Sequence, residues 1–210
     1  MIKKIVLLVF INTIIPFKEI ETNSNVTETK SKYYCNIQIG KDSSSGEFEL
    51  RSSNGLRKGT IITTFNVMTD EGFYEKHPLN LGFSKVENSL DPKLKVGKYD
   101  LKTITLEGQD KLSFFSIGEN IITEKTYNQA KSSGLLDDVQ DSYVLLSEGS
   151  NEFKIDSVKD IGEVEDGTYY KTGKQEVKGS AKAVLLKIST NEKLTLAVQF
   201  NVEHEWSLSK

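Results

Sequence analysis

The chain has 210 residues, a formal net charge of −3, one cysteine, two histidines and three prolines. One Cys excludes an intramolecular disulfide and a Cys-rich zinc module, and two His leave little for histidine-based metal sites or proton chemistry. With 27 basic against 30 acidic residues this is no polybasic nucleic-acid binder, and 37% hydrophobic residues suffice for a core.

Residues 1–24 read as an address. Met1-Ile2-Lys3-Lys4 is basic, Ile5 to Phe17 is almost wholly apolar, and a polar stretch runs from Lys18 to Lys32. That order is the n-, h- and c-region of a secretory signal peptide. The 13-residue apolar run falls short of the ~20 that a membrane-spanning helix needs. Thr22 and Ser24 fit the small-residue positions of a cut before Asn25. Cys35 follows Lys32-Tyr33-Tyr34 and lacks the small-residue box that precedes a lipidated cysteine. Removal of the address takes three lysines and two glutamates with it, so 186 residues remain at a net charge of −4. Residues 25–32 are a polar, flexible leader without periodicity. Asn25-Val26-Thr27 matches a glycan acceptor only in a eukaryotic secretory pathway.

From Tyr33 the texture changes to period two. Tyr33, Cys35, Ile37 and Ile39 alternate with polar positions, which predicts a half-buried strand with Cys35 facing inward. Gly40 to Gly46 reads as a turn and Glu47 to Leu50 as the returning strand of a hairpin. Asn54-Gly55 centres the next turn, and Thr60 to Met68 is β-branched and aromatic, a strand. Thr69 to Asn88, broken by Gly72, Pro78 and Gly82, reads as an irregular excursion with one short strand. Tyr99 to Leu106 and Leu112 to Ile117 flank a tight connection and read as a hairpin, and Ile121-Ile122-Thr123 adds a few strand residues.

Glu124 to Ser133 is the one helix candidate, with Thr123 as its cap and Gly134 at its end. Tyr143 to Ser147 and Glu152 to Val158 flank Glu148-Gly-Ser-Asn151 and read as a hairpin. Residues 160–175 form a long exposed loop or ribbon. Val177 to Ile188 is a strand whose inward parity switches near Ala183-Val184, which suggests a bulge. The last strand is the clearest: Leu194, Leu196, Val198, Phe200 and Val202 alternate with polar residues, and the same parity carries His204 and Trp206 inward.

Constellations that carry chemistry are scarce. Asp137-Asp138-Val139-Gln140-Asp141 is the densest acidic cluster, but it lacks the internal Gly of a calcium loop and reads as a solvated turn. Glu163-Val-Glu165-Asp166-Gly167 is similar. His77 and His204 are the only imidazoles, and neither lies in a metal-ligand pattern. Cys35 and Ser43-Ser44-Ser45 have no base nearby in sequence and are read as core and turn, not as nucleophiles. Trp206 either stacks on a sugar or caps the core, and Tyr169-Tyr170 either contacts a ligand or pins its loop to the sheet. Paired carboxylates from distant strands remain open to a glycoside hydrolase. No P-loop, dinucleotide-binding or nucleophile-elbow segment is present.

The hairpin segment Tyr143–Val158, the Val177-Lys-Gly179-Ser-Ala run, the alternating ending Leu194–Val202 and the opening Val96-Gly97-Lys98-Tyr99 resemble small secreted or surface β-sandwich proteins of unknown function common in Bacteroidota. The resemblance covers about a third of the chain, mainly residues 143–206. It implies a β fold and export, and no activity. Many of those proteins are lipoproteins, and this chain departs from them at Cys35.

The expectations are these. After a signal peptide (1–24) and leader (25–32), residues 33–210 form one mainly β domain. It is an antiparallel sandwich or barrel of about nine to eleven strands with one short helix near 124–133. The chain is exported to the periplasm, cell surface or medium as a non-enzymatic binding or surface-associated protein. Its partner is a protein or glycan, not nucleic acid, with no stable membrane span in the mature form. No cofactor and no catalytic or metal-ligating residue is assigned. The alternative is a carboxylate-dependent hydrolase acting on glycans, which demands two carboxyl groups facing each other across a cleft.

Overall fold

The computed structural model describes residues 32–54, 59–77, 81–103, 114–118 and 120–210. The leader and its cleavage position, Gly55, Pro78 and the connection between Leu106 and Leu112 lie outside the described residues. Twelve strands and two α-helices are described: β1 (Tyr34–Ile39), β2 (Asp42–Ser45), β3 (Glu47–Asn54), β4 (Thr60–Met68), α1 (Glu71–Lys76), β5 (Gly82–Asn88), β6 (Gly97–Thr103), β7 (Phe114–Ile117), β8 (Ile121–Thr123), α2 (Glu124–Ser132), β9 (Tyr143–Leu145), β10 (Glu152–Asp166), β11 (Tyr170–Lys187) and β12 (Glu192–Ser209). The mainly β expectation holds, in a single mixed sheet.

Pairing closes that sheet on itself. Its order runs β12-β3-β4-β5-β7-β6-β10-β11, and β11 pairs with β12 again. Eight strands therefore form a hydrogen-bonded ring, which leaves those strands no common free edge over the paired stretch. Closure depends on two parallel pairs, β12 with β3 and β6 with β7. β1 wedges beside β12 ahead of β3, with β2 outside it, while β9 and β8 extend the outer edge of β11.

Alternation decides what fills the ring. Inward positions of β12 (Leu194, Leu196, Val198, Phe200, Val202, His204 and Trp206) are all buried, as the period-two reading requires. Phe65, Phe83, Phe115, Phe153 and Phe200 come from five strands and meet in the middle. Phe153 stacks on Phe115 at 4.0 Å between centroids and lies 5.3–5.6 Å from the other three. Cys35 is 1% exposed, and burial pushes its thiol well above the ordinary range, so it is the core residue its parity predicts.

Five local expectations change. The Gly40–Gly46 turn contracts to Gly40-Lys41, with Gly40 at φ 58°, because Asp42–Ser45 pair with β1 as a strand. Within Thr69–Asn88 the described residues form α1 and β5: Asp70 caps α1 by accepting from the Phe73 amide, and Phe73 turns into the core. β6 and β7 pair in parallel, so no tight hairpin joins them.

The expected 143–158 hairpin is also absent. β9 and β10 do not pair with each other but lie end to end along β11. Asn151 bridges the break, donating from Nδ2 to the Leu146 carbonyl and accepting the Val184 amide at Oδ1. No bulge occurs at Ala183-Val184. The β11–β12 register is continuous, and Val184 looked inward only because the 146–151 segment covers the outer face there. The shifts sit in β10, at Ile155/Ser157 and Ile161/Glu165. The expected helix is α2, capped by Thr123 through the Thr126 amide.

Candidate functional site

Above the aromatic layer the inward residues turn polar. Gln175 and His204 are cross-strand partners on β11 and β12, continued on β10 by the exposed Asp160 at the rim, and Ser52, Thr63 and Lys85 are partners on β3, β4 and β5. Hydrogen bonds join the two rows. His204 contacts Gln175 Oε1 through Nδ1 at 3.1 Å and Ser52 Oγ through Nε2 at 2.9 Å. Ser52 Oγ in turn lies 2.5 Å from Thr63 Oγ1, and Gln175 Nε2 donates to Asp160 at 3.0 Å.

The donors can be assigned. Leu94 N–H points at Gln175 at 3.0 Å, so the atom facing it is the amide oxygen. That oxygen only accepts, so His204 carries its proton on Nδ1. Nε2 then accepts from the Ser52 hydroxyl, and Ser52 accepts from Thr63. With no exposed surface, His204 is held neutral: burial lowers its pKa to about 4.

A serine donating to a neutral imidazole whose other nitrogen is fixed by an amide is the geometry of an activated nucleophile. Access decides against that chemistry here. Ser52 is 2% exposed and His204 0%, so the pair is sealed in the closed barrel. The segment from Ser89 to Val96 lies over this end. Leu94 is buried there, and Lys93 bridges to Asp160 at 2.9 Å while sitting 5.4 Å from the Trp206 ring.

Beneath this segment is a cavity of about 60 Å3, lined by Lys85, Glu87, Asp91, Lys93, Lys95 and Tyr99. Glu87 is held by Lys85 at 2.6 Å and Asp91 by Lys95 at 3.2 Å. The space admits a few waters, not a sugar ring.

The two histidines do not meet. His77 is buried beside α1, with Nε2 2.9 Å from Asp42 and Nδ1 3.5 Å from the Tyr143 hydroxyl. Its hydrogen bond, and then that of Lys76, hold the Asp42 carboxyl below its ordinary range. Burial raises the Tyr143 phenol to about 12. These contacts fasten α1 to β2 and β9. Asp137 and Asp138 lie on an exposed 3-10 turn, Leu136–Val139. Among the described residues no group of three or more His, Cys, Asp or Glu is placed to hold a metal.

Beyond the polar rows the ends of β10, β11 and β12 leave the barrel as a three-stranded ribbon. Lys174 pairs with Glu203 and Lys210 with Asp166, each at 2.5 Å. At its tip Tyr169 is 75% and Tyr170 58% exposed, so neither pins the ribbon to the sheet. Trp206 is buried over Gly173 and acts as a cap on the core.

Ser52, Thr63, Lys85 and Gln175 were not anticipated. Gln175 shares the parity of Val177 and Ser52 that of Leu50, so extending the inward register by one step finds both.

The chain matches no protein-family model, no curated protein and no solved structure. Among the described residues no helix is long and apolar enough to cross a membrane.

Proposed function

We propose that the chain is an exported, non-enzymatic binding or surface-associated protein that meets a protein or glycan partner through its ribbon. One observation carries this reading: Tyr169 and Tyr170 stand at the tip of the ribbon, 75% and 58% exposed. Tyrosine supplies large, amphipathic contact area with few rotatable bonds, which is why it is enriched where proteins touch partners. The barrel supports the same reading from the inside, because five phenylalanines fill the space a small ligand would need. Export rests on Lys3-Lys4 ahead of the Ile5–Phe17 apolar run.

The test compares the wild-type chain with a Tyr169→Ser/Tyr170→Ser variant on an immobilised panel of peptides and glycans. Binding that falls about tenfold or more at unchanged thermal stability supports the reading. Binding that survives the double substitution overturns it.

A further inference from the structure

β10 has strands on both sides only at its start. Glu152 to Ile155 lie between β6 and β11, whereas from Ser157 to Asp166 the neighbour is β11 alone. Among the described residues no strand covers the other edge, and side chains along it are exposed or half-buried. An uncovered edge presents a row of main-chain donors and acceptors that pairs with any strand able to approach.

Charge selects the strand. Ser157–Asp166 carries Asp160, Glu163, Glu165 and Asp166 against Lys159. Asp160 is bridged by Lys93 and Asp166 by Lys210, while among the described residues no ion pair engages Glu163 or Glu165. A second copy would bring the same net charge of −3 over Ser157–Asp166 to this edge, which opposes its approach. A strand of opposite sign meets no such cost. Gly162, at φ 70°, opens the bulge between Ile161 and Glu165, so unbroken pairing is confined to Ser157–Ile161.

We propose that the outer edge of β10 accepts, by strand addition, an extended segment alternating Lys or Arg with β-branched residues. About five of its residues pair with Ser157–Ile161, and its basic side chains reach Glu163 and Glu165. This rests on the ribbon being the binding element and names the class of partner it takes.

The test uses the full chain and three synthetic ten-residue peptides: alternating Lys/Val, alternating Glu/Val, and Lys/Val with N-methylated valines. Fluorescence anisotropy gives the affinity, and amide hydrogen exchange gives the place. The Lys/Val peptide binds, slows exchange at Ser157–Ile161, and weakens as salt rises. Glu163→Lys/Glu165→Lys weakens it about tenfold or more and admits the Glu/Val peptide instead, and N-methylation abolishes pairing. Equal binding of the N-methylated peptide, or protection on β2 or β8, overturns the proposal and leaves the Tyr169/Tyr170 reading standing. No binding of the Lys/Val peptide, or dimerisation of the chain through β10, also overturns it. The ribbon reading itself fails only on the Tyr169→Ser/Tyr170→Ser comparison.

Discussion

Trp206 packs over Gly173, its direct partner across the β11–β12 ladder. A Cβ built on Gly173 would lie 2.7 Å from Trp206 Cε2. Phe200 repeats the arrangement six residues earlier on Gly179, where a Cβ would lie 2.6 Å from the ring and also meet the Lys154 carbonyl. These glycines are the space that two inward aromatics occupy. Gly179→Ala should therefore destabilise by about 3 kcal/mol and Gly173→Ala by about 2, read from urea midpoints at constant m-value. Flexibility of the glycine would be the competing cause, and a double-mutant cycle separates the two. In a Trp206→Leu background the Gly173→Ala cost should drop by half or more, since the clash has gone.

What the sequence made legible was periodic. β12 reads correctly from Leu194 to Trp206 because its inward residues, His204 apart, are apolar or aromatic, and Cys35 follows from the same rule on β1. What failed was partnership. Glu148-Gly-Ser-Asn151 has the composition of a hairpin turn, yet it is a break in one line of chain along β11, and only the tertiary bonds of Asn151 reveal that. The polar rows were hidden for a similar reason. Ser52 and His204 are 152 residues apart, and no local pattern announces a bond between them. Closure through two parallel pairs is equally non-local.

Phe153 is the centre of the aromatic layer, touching Phe65, Phe83, Phe115 and Phe200. Its contacts cross the barrel rather than run along one strand pair, so neighbours cannot close over a deletion without bending several strands. Phe153→Ala should cost about 4 kcal/mol, and Phe153→Leu distinctly less, by chemical denaturation. If both cost under 1 kcal/mol, the layer is not close-packed.

Asn151 holds the break between β9 and β10 with both ends of its amide. Replacing it with Asp keeps the acceptor for Val184 N–H but removes the donor to Leu146. Replacing it with Ala removes both. The expected order of stability is wild type, then Asn151→Asp, then Asn151→Ala, with the last about 2 kcal/mol below the first. Faster amide exchange at Val184 in Asn151→Ala alone would place the acceptor bond where the geometry has it.

His204 makes stability depend on pH, and the sign follows from its burial. Its pKa in the folded chain is about 4, against about 6.5 when unfolded, so between these values the unfolded chain binds the extra proton. The contribution is complete above pH 6.5 and is lost as pH falls toward 4. From pH 7 to pH 5 the loss from this group alone amounts to about 2 kcal/mol. The carboxylates held down by partners, Asp42, Asp70, Asp160, Asp166 and Glu176, remain charged across that interval and add their own losses only at lower pH. Urea titrations at pH 7, 6 and 5 should therefore show a slope that His204→Gln removes. Glutamine keeps a donor and an acceptor for Gln175 and Ser52 without the titration. A slope that persists unchanged in His204→Gln would mean that the buried imidazole is not the group that takes up the proton.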